Sequence, residues 1–176
     1  MVAASQLLVG MADIQIVRGP AIFNCLGLGS CIGLVAHDKV VDVTAMVHIM
    51  LPEAFKDKPV DKPGKFADTG IAEMLRQMAG LGADPKRTVF AFAGGAQVFK
   101  YGTAGPNRLD VGARNGHAVE EILKGLGLRS LASDIGGSNG RTVTVDAGTG
   151  IVKVRTLVTG EKVLCNLKTL VGKVAA

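Results

Sequence analysis

The chain has 176 residues, a formal charge of +5 and 24 glycines; 48% of its residues are apolar and 20% are charged. That balance excludes a disordered chain and is enough for one folded domain over residues 1–176, with the glycines marking many tight turns. Lys and Arg are scattered singly, and six Phe and one Tyr offer few surfaces for stacking bases, so no nucleic-acid partner is expected. The start MVAASQLLVGMADIQ lacks the basic residues and apolar core of a signal peptide, and no apolar run reaches the roughly 18 residues of a membrane span. A soluble cytoplasmic protein without membrane insertion is therefore expected. Cys25, Cys31 and Cys165 form an odd set without a CxxC pair, which suggests free thiols rather than a disulfide framework or a zinc knuckle.

In chain order, Leu7–Val17 and Ala21–Leu26 read as short strands split by the turn signal Arg18-Gly19-Pro20. The stretch LGLGSC, Leu26 to Cys31, follows. Next, CIGLVA (Cys31–Ala36) and VVDVTAMVHIML (Val40–Leu51) read as a hairpin with a polar turn at His37-Asp38-Lys39. A turn centred on Asp38-Lys39 sets Cys31 opposite Met46 and diagonal to His48, on one face of the pair. PEAFKDKPVDKPGKF is a charged, proline-bearing surface loop. Asp68 or Thr69 is placed to cap a helix whose apolar positions Ile71, Met74, Leu75, Met78 and Leu81 keep helical spacing. Thr88–Phe92 reads as a buried strand that runs into AGGAQVF. A second amphipathic helix starts near Asn115, with Val119, Ile122, Leu123 and Leu126 on one face. SDIGGSNGR is a glycine-rich loop. RTVTVDAGTGIVKVRTLV alternates like a hairpin turning at Gly148-Thr149-Gly150, and KVLCNL is a last strand. Strands mixed with two helices predict an α/β fold.

The chemistry concentrates on LGLGSC. Gly27 and Gly29 cost entropy in a strand, a cost that a tight turn presenting Cys31 among free backbone N–H groups would justify. A buried cysteine is otherwise a small core residue. A nearby imidazole is the usual activator of a thiol, and His48, alone within an apolar strand, either bonds a backbone group or serves a site. His37, in the polar turn, and His117, near the start of the second helix, are expected to meet solvent. A metal site using Cys31 and His48, with His37 or Asp38, falls short in ligand number and spacing. SDIGGSNGR lacks the lysine of a phosphate-binding loop and reads as a structural turn.

Together, LGLGSC at 26–31, AMVHIMLP at 45–52, DKPGKFADTGI at 61–71, AGGAQVF at 93–99, GARN at 112–115 and DIGGSNGR at 134–141 resemble the CheD family of chemoreceptor glutamine deamidases, over roughly Gly10 to Thr156. The resemblance implies a three-layer α/β/β fold related to toxin-type cysteine deamidases. It also implies a Cys31 nucleophile and a His48 base; no cofactor and no metal are expected. The backbone N–H groups of Ser30 and Cys31 would serve as oxyanion donors, in a turn shaped by Gly27 and Gly29. Family members carry a threonine that orients the histidine; here that position is Cys25. A thiol bonds more weakly than a hydroxyl, so either Cys25 holds the ring poorly or a backbone carbonyl holds it instead. The implied reaction is cysteine-dependent hydrolysis of glutamine side chains to glutamate on methyl-accepting chemotaxis receptors, with a CheC-type phosphatase as regulatory partner. The alternative is a weakened relative that regulates receptors or that phosphatase by occupancy.

Overall fold

The computed structural model describes residues 4–98 and 110–172. Among these, ten strands are β1 (Ser5–Leu8), β2 (Ile14–Arg18), β3 (Ala21–Leu28), β4 (Ile32–Asp38), β5 (Val43–Ile49), β6 (Val89–Gly94), β7 (Arg129–Ile135), β8 (Arg141–Asp146), β9 (Ile151–Thr156) and β10 (Gly160–Asn166). Two helices are α1 (Ala67–Gly80) and α2 (Val111–Gly125). The strands form two sheets, ordered β1-β3-β8-β9-β10 and β2-β5-β4-β6-β7. Each is mixed: β1 runs parallel to β3 and β6 parallel to β7, while the other neighbours are antiparallel.

Residue parity along β4 and β5 sorts the layers. Ile32, Leu34 and Ala36, with Val43, Ala45, Val47 and Ile49, pack with Ile71, Met74 and Met78 of α1 and with Val119 and Leu123 of α2. Val35 and Met46, from the opposite faces of the same strands, pack with Phe23, Cys25, Val143 and Val145 of the other sheet. Helices, sheet and sheet thus stack as three layers. All seven residues of β4 and of β5 are buried, which is why both read as continuous apolar runs rather than alternating ones. Each large aliphatic or aromatic side chain in these layers contributes about 2 kcal/mol by leaving water.

Several sequence expectations change. Leu7–Val17 is two strands, because the chain turns at 9–13: the Asp13 N–H bonds the Gly10 carbonyl, and Ala12 has a left-handed φ of 65°. The β4–β5 hairpin turns at 39–42, later than expected, since the strand continues through His37 and Asp38. His37 is therefore 1% exposed instead of lying in a solvated turn. The first helix is preceded by extended Phe66 and has no side-chain cap. Asp68 instead accepts from the Ala54 N–H, pinning the proline-bearing loop, and the Thr69 hydroxyl donates to the Pro63 carbonyl. The second helix starts four residues early, capped by Asp110, which accepts from the Ala113 N–H at 2.8 Å. The first three residues of SDIGGSNGR, Ser133 to Ile135, belong to β7, a strand whose half-buried, polar sequence hid it. Phe99 of AGGAQVF lies outside the described residues.

The sheet nearest the helices ends in a close approach of backbones. Gly94 has φ 125°, and a Cβ there would run into the carbonyl oxygen of Cys31. Gly94→Ala combines backbone strain with an overlap that no side-chain motion relieves, so it should lower the unfolding free energy by at least about 3 kcal/mol. Gly80→Ala, helical and with nothing within 4 Å of its new methyl group, should instead raise it by up to about 1 kcal/mol. Urea denaturation of the two variants reads both signs.

Candidate active site

The LGLGSC stretch leaves its sheet through a bulge. Cys25 pairs with Val143 and Leu28 with Arg141, a one-residue shift in register, and Gly27 takes the left-handed φ of 64° that the bulge requires. The shift lets both Cys25 and Leu28 face the inter-sheet core although their positions differ in parity. Gly29, Ser30 and Cys31 then form the loop into β4. All three are half-buried, and they line a cleft of about 500 Å³ with Gly27, Ala96, Gln97 and the first turn of α2.

Three consecutive carbonyls of this loop are held from behind. Gly29 O accepts from the Ala96 N–H at 2.8 Å and Cys31 O from the Gly95 N–H at 2.9 Å. Ser30 O accepts from Asn115 Nδ2 at 2.9 Å, and the same nitrogen donates to Met50 O at 2.9 Å. In a trans peptide the N–H points opposite to the preceding carbonyl, so these bonds turn the Ser30 and Cys31 N–H groups away from the scaffold. Among the described residues neither N–H donates to a backbone carbonyl outside the strands. Gly112 lets α2 approach: a Cβ there would sit 2.6 Å from Gly95 O and 2.7 Å from Ala96 O.

His48 is 4% exposed and lies opposite Gly33 in the β4–β5 ladder. The register pairs Ile32 with Ile49, four residues away from the expected one. Cys31, just before β4, still falls one diagonal step from His48 on the same face, but from the other side: roughly 7–8 Å between Cα atoms in regular pairing. An even slip preserves the face, and so the expected juxtaposition survives the wrong register. Gly33, opposite His48, leaves room for core side chains, since a Cβ there would meet Met46 Cε at 3.0 Å, Leu28 Cδ1 at 3.1 Å and Cys25 Sγ at 3.4 Å.

His48 Nδ1 lies 3.2 Å from Val9 O and 3.5 Å from Cys25 Sγ. A carbonyl only accepts, so Nδ1 carries the ring hydrogen and Nε2 keeps a lone pair. The carbonyl is the firmer of the two holds, because sulfur is a weak acceptor. Cys25 therefore lies against the ring, where the resemblance puts the orienting residue, and the Val9 carbonyl meets the same nitrogen. Burial holds the imidazole below its ordinary pKa of 6.5, partly offset by the Val9 bond and by Asp13. Burial likewise pushes the Cys31 thiol above 9.0. Cys25 is pushed up to about 12 by burial, with Cys31 adding to it. Both shifts favour the uncharged forms, a thiol at Cys31 and a neutral imidazole at His48.

His117 is exposed on α2, as expected, and far less constrained than His48. Among the described residues no group of three or more His, Cys, Asp or Glu could hold a metal ion, and no helix is long and apolar enough to cross a membrane. Asn115, part of the GARN motif, is the residue to which the sequence assigned no role in the site. It was read as a helix start, yet it is fully buried in the helix interior; an Asn on the apolar face of an amphipathic helix was the available signal. Asn115→Ala removes the donor to two part-buried carbonyls and should cost about 2 kcal/mol of stability. Asn115→Asp should do no better, because a carboxylate cannot donate to them; thermal unfolding of both variants measures this.

The family model described as "CheD chemotactic sensory transduction" matches residues 50–156, a span that begins after Cys31 and His48. Curated proteins named "Probable chemoreceptor glutamine deamidase CheD" are similar over most of the chain. The protein of Desulfitobacterium hafniense is 46% identical over 156 residues, covering 89% of this chain and 96% of its own length. That of Desulforamulus reducens is 42% identical over 160 residues, covering 91% and 96%. That of Pyrococcus abyssi is 36% identical over 156 residues, covering 89% and 94%. With a family model matched over more than half of its length, and relatives covered almost end to end, this chain belongs to the CheD family.

Proposed function

We propose that the chain hydrolyses glutamine side chains of methyl-accepting chemotaxis receptors to glutamate, with Cys31 as nucleophile and His48 as general base and acid. The observation that carries this reading is the Cys31 loop itself, whose carbonyls are tied back so that its N–H groups face a cleft, beside an imidazole on the same face of the β4–β5 pair. The names of the relatives supply the substrate class.

The thiol proton passes to His48 Nε2 as sulfur attacks the carboxamide carbon. Negative charge developing on the amide oxygen is met by the Ser30 and Cys31 N–H groups, which need no reorganisation to do so. Collapse of the adduct breaks the C–N bond, and His48 Nε2–H protonates the departing nitrogen, so ammonia leaves and a thioester remains. Water then gives a proton to Nε2 and attacks the thioester, releasing glutamate; the proton returns to Cys31 sulfur. The Val9 carbonyl keeps the imidazole in the tautomer these steps need, which favours full activity over the weakened relative acting by occupancy. The new carboxylate changes local charge on the receptor. A CheC-type phosphatase as regulatory partner, implied by the family resemblance, belongs to the same reading. So does a cytoplasmic setting, where free thiols stay reduced.

Wild type should release ammonia from receptor fragments, with the mass gain of amide-to-acid conversion, and Cys31→Ala should release none; equal turnover by the two proteins overturns the assignment. In the same assay Cys25→Thr should change turnover by less than about tenfold, because Val9 already holds the ring. The pH profile follows from the two shifts. A lowered imidazole pKa keeps the base unprotonated to pH values below 6.5, and a raised thiol pKa delays spontaneous ionisation beyond 9.0. Between these limits kcat/KM should be flat, falling only on the acid side of 6.5; a limb centred at or above 6.5 contradicts the neutral pair.

A further inference from the structure

At the other end of β4 from Cys31, about 20 Å along the strand, lies a second cavity of about 70 Å³. His37, Lys39, Lys86, Arg87 and Arg129 line it, with Leu167 and Leu170 closing the apolar side. Three elements supply the cations: the β4–β5 turn, the loop before β6, and the start of β7. Arg87 is engaged, bonding Asp38 at 2.9 Å and Asp84 at 3.5 Å. Lys39, Lys86 and Arg129 form no ion pair among the described residues. Nearby Lys168 pairs with Asp42 at 3.0 Å.

His37 is the second and independent observation. It is buried, its Nδ1 lies 2.9 Å from Thr44 Oγ1, and its Nε2 is buried without a partner among the described residues. Nδ1 and the Thr44 hydroxyl share one hydrogen; in the tautomer where the hydroxyl donates it, Nε2 carries the ring hydrogen and is an unused donor. An unsatisfied buried donor costs roughly 1–3 kcal/mol, and converging cations add repulsion. One ligand relieves both.

We propose that this cavity is a binding site for a phosphate group. The volume exceeds the roughly 30 Å³ share of one water and suits a single tetrahedral oxyanion. Lys86, Arg129 and Lys39 supply charge, Arg129 through a guanidinium fork suited to two oxygens, and the unpartnered Nε2 of His37, a lining residue, supplies a donor in the tautomer that Thr44 favours by donating to Nδ1. The site is separate from Cys31 and independent of the deamidase reading. Free phosphate and a phosphorylated side chain present the same group, and the cavity holds the group itself rather than a larger ligand.

The test is titration of the whole chain with inorganic phosphate at constant ionic strength, following the histidine ring signals by NMR. A saturable shift of His37, with His48 and His117 unmoved, is the expected result. Lys86 and Arg129 are exposed, so their removal leaves the core intact. Lys86→Ala and Arg129→Ala should each weaken the interaction about tenfold, and the double variant should abolish it. A parallel titration with phosphoserine distinguishes the sources: binding as tight as phosphate assigns the site to a phosphorylated side chain, and binding of phosphate alone assigns it to the free ion. Absence of a saturable His37 shift, or unchanged affinity in the double variant, overturns the proposal.

Discussion

The site rests on one constraint, the fastening of three successive carbonyls behind the Cys31 loop. Gly95, Ala96 and Asn115 supply the donors, and each must come close enough to bond. Closeness is bought by glycine at positions where any side chain would overlap backbone: Gly94 against the Cys31 carbonyl, Gly112 against the carbonyls of Gly95 and Ala96. The strand end of β6, the first turns of α2 and the loop therefore form one rigid unit. Its chemical consequence is orientation, because a peptide group whose oxygen is fixed has no freedom left for its N–H.

Electrostatics in the two sheets follows the same economy of buried polar groups. His48 could have been an expensive intrusion into an apolar interface; a bond to the Val9 carbonyl and a neutral ring remove most of that cost. Elsewhere among the described residues, the buried charges of Asp38 and Arg141 are paired. Arg141, 8% exposed at its side chain, bonds Asp134 and the carbonyls of Gly94 and Gly136, so the glycine-rich stretch before β8 is organised around a guanidinium rather than around a phosphate. Burial would raise the Asp134 carboxyl, but Lys162 and Arg141 outweigh it and hold it low. Its contribution to stability is accordingly present above the ordinary carboxylate range and lost as pH falls through the lowered value.

Family membership and geometry answer different questions about Cys25. The resemblance names its position as the one that orients the histidine, and the structure puts its sulfur 3.5 Å from the ring. What the resemblance left open was whether a thiol could do the work of a hydroxyl. The fold makes that question less pressing by bringing Val9, from the turn after β1, to the same nitrogen. The turn itself is tied to His48 by backbone bonds, Ala12 N–H to His48 O and His48 N–H to Asp13 O, so ring and carbonyl are positioned by the same short segment.

Much of this was legible in the residues. Apolar periodicity located both helices and most strands, and the glycines around Cys31 with a lone histidine in an apolar strand marked the thiol and the imidazole, because local pattern reports which face is buried. Pairing parity put them on one side even though the register was misplaced, since a slip of even length leaves faces unchanged. Sequence alone could not supply the register, the burial of His37 or the strand β7, as each depends on where a chain stops pairing rather than on what it prefers. Nor could it identify Val9 and Asn115, separated from His48 by 39 residues and from Ser30 by 85. Their roles come from bonds between backbone and side chain across packed layers, and no local pattern encodes which distant carbonyl a donor will meet.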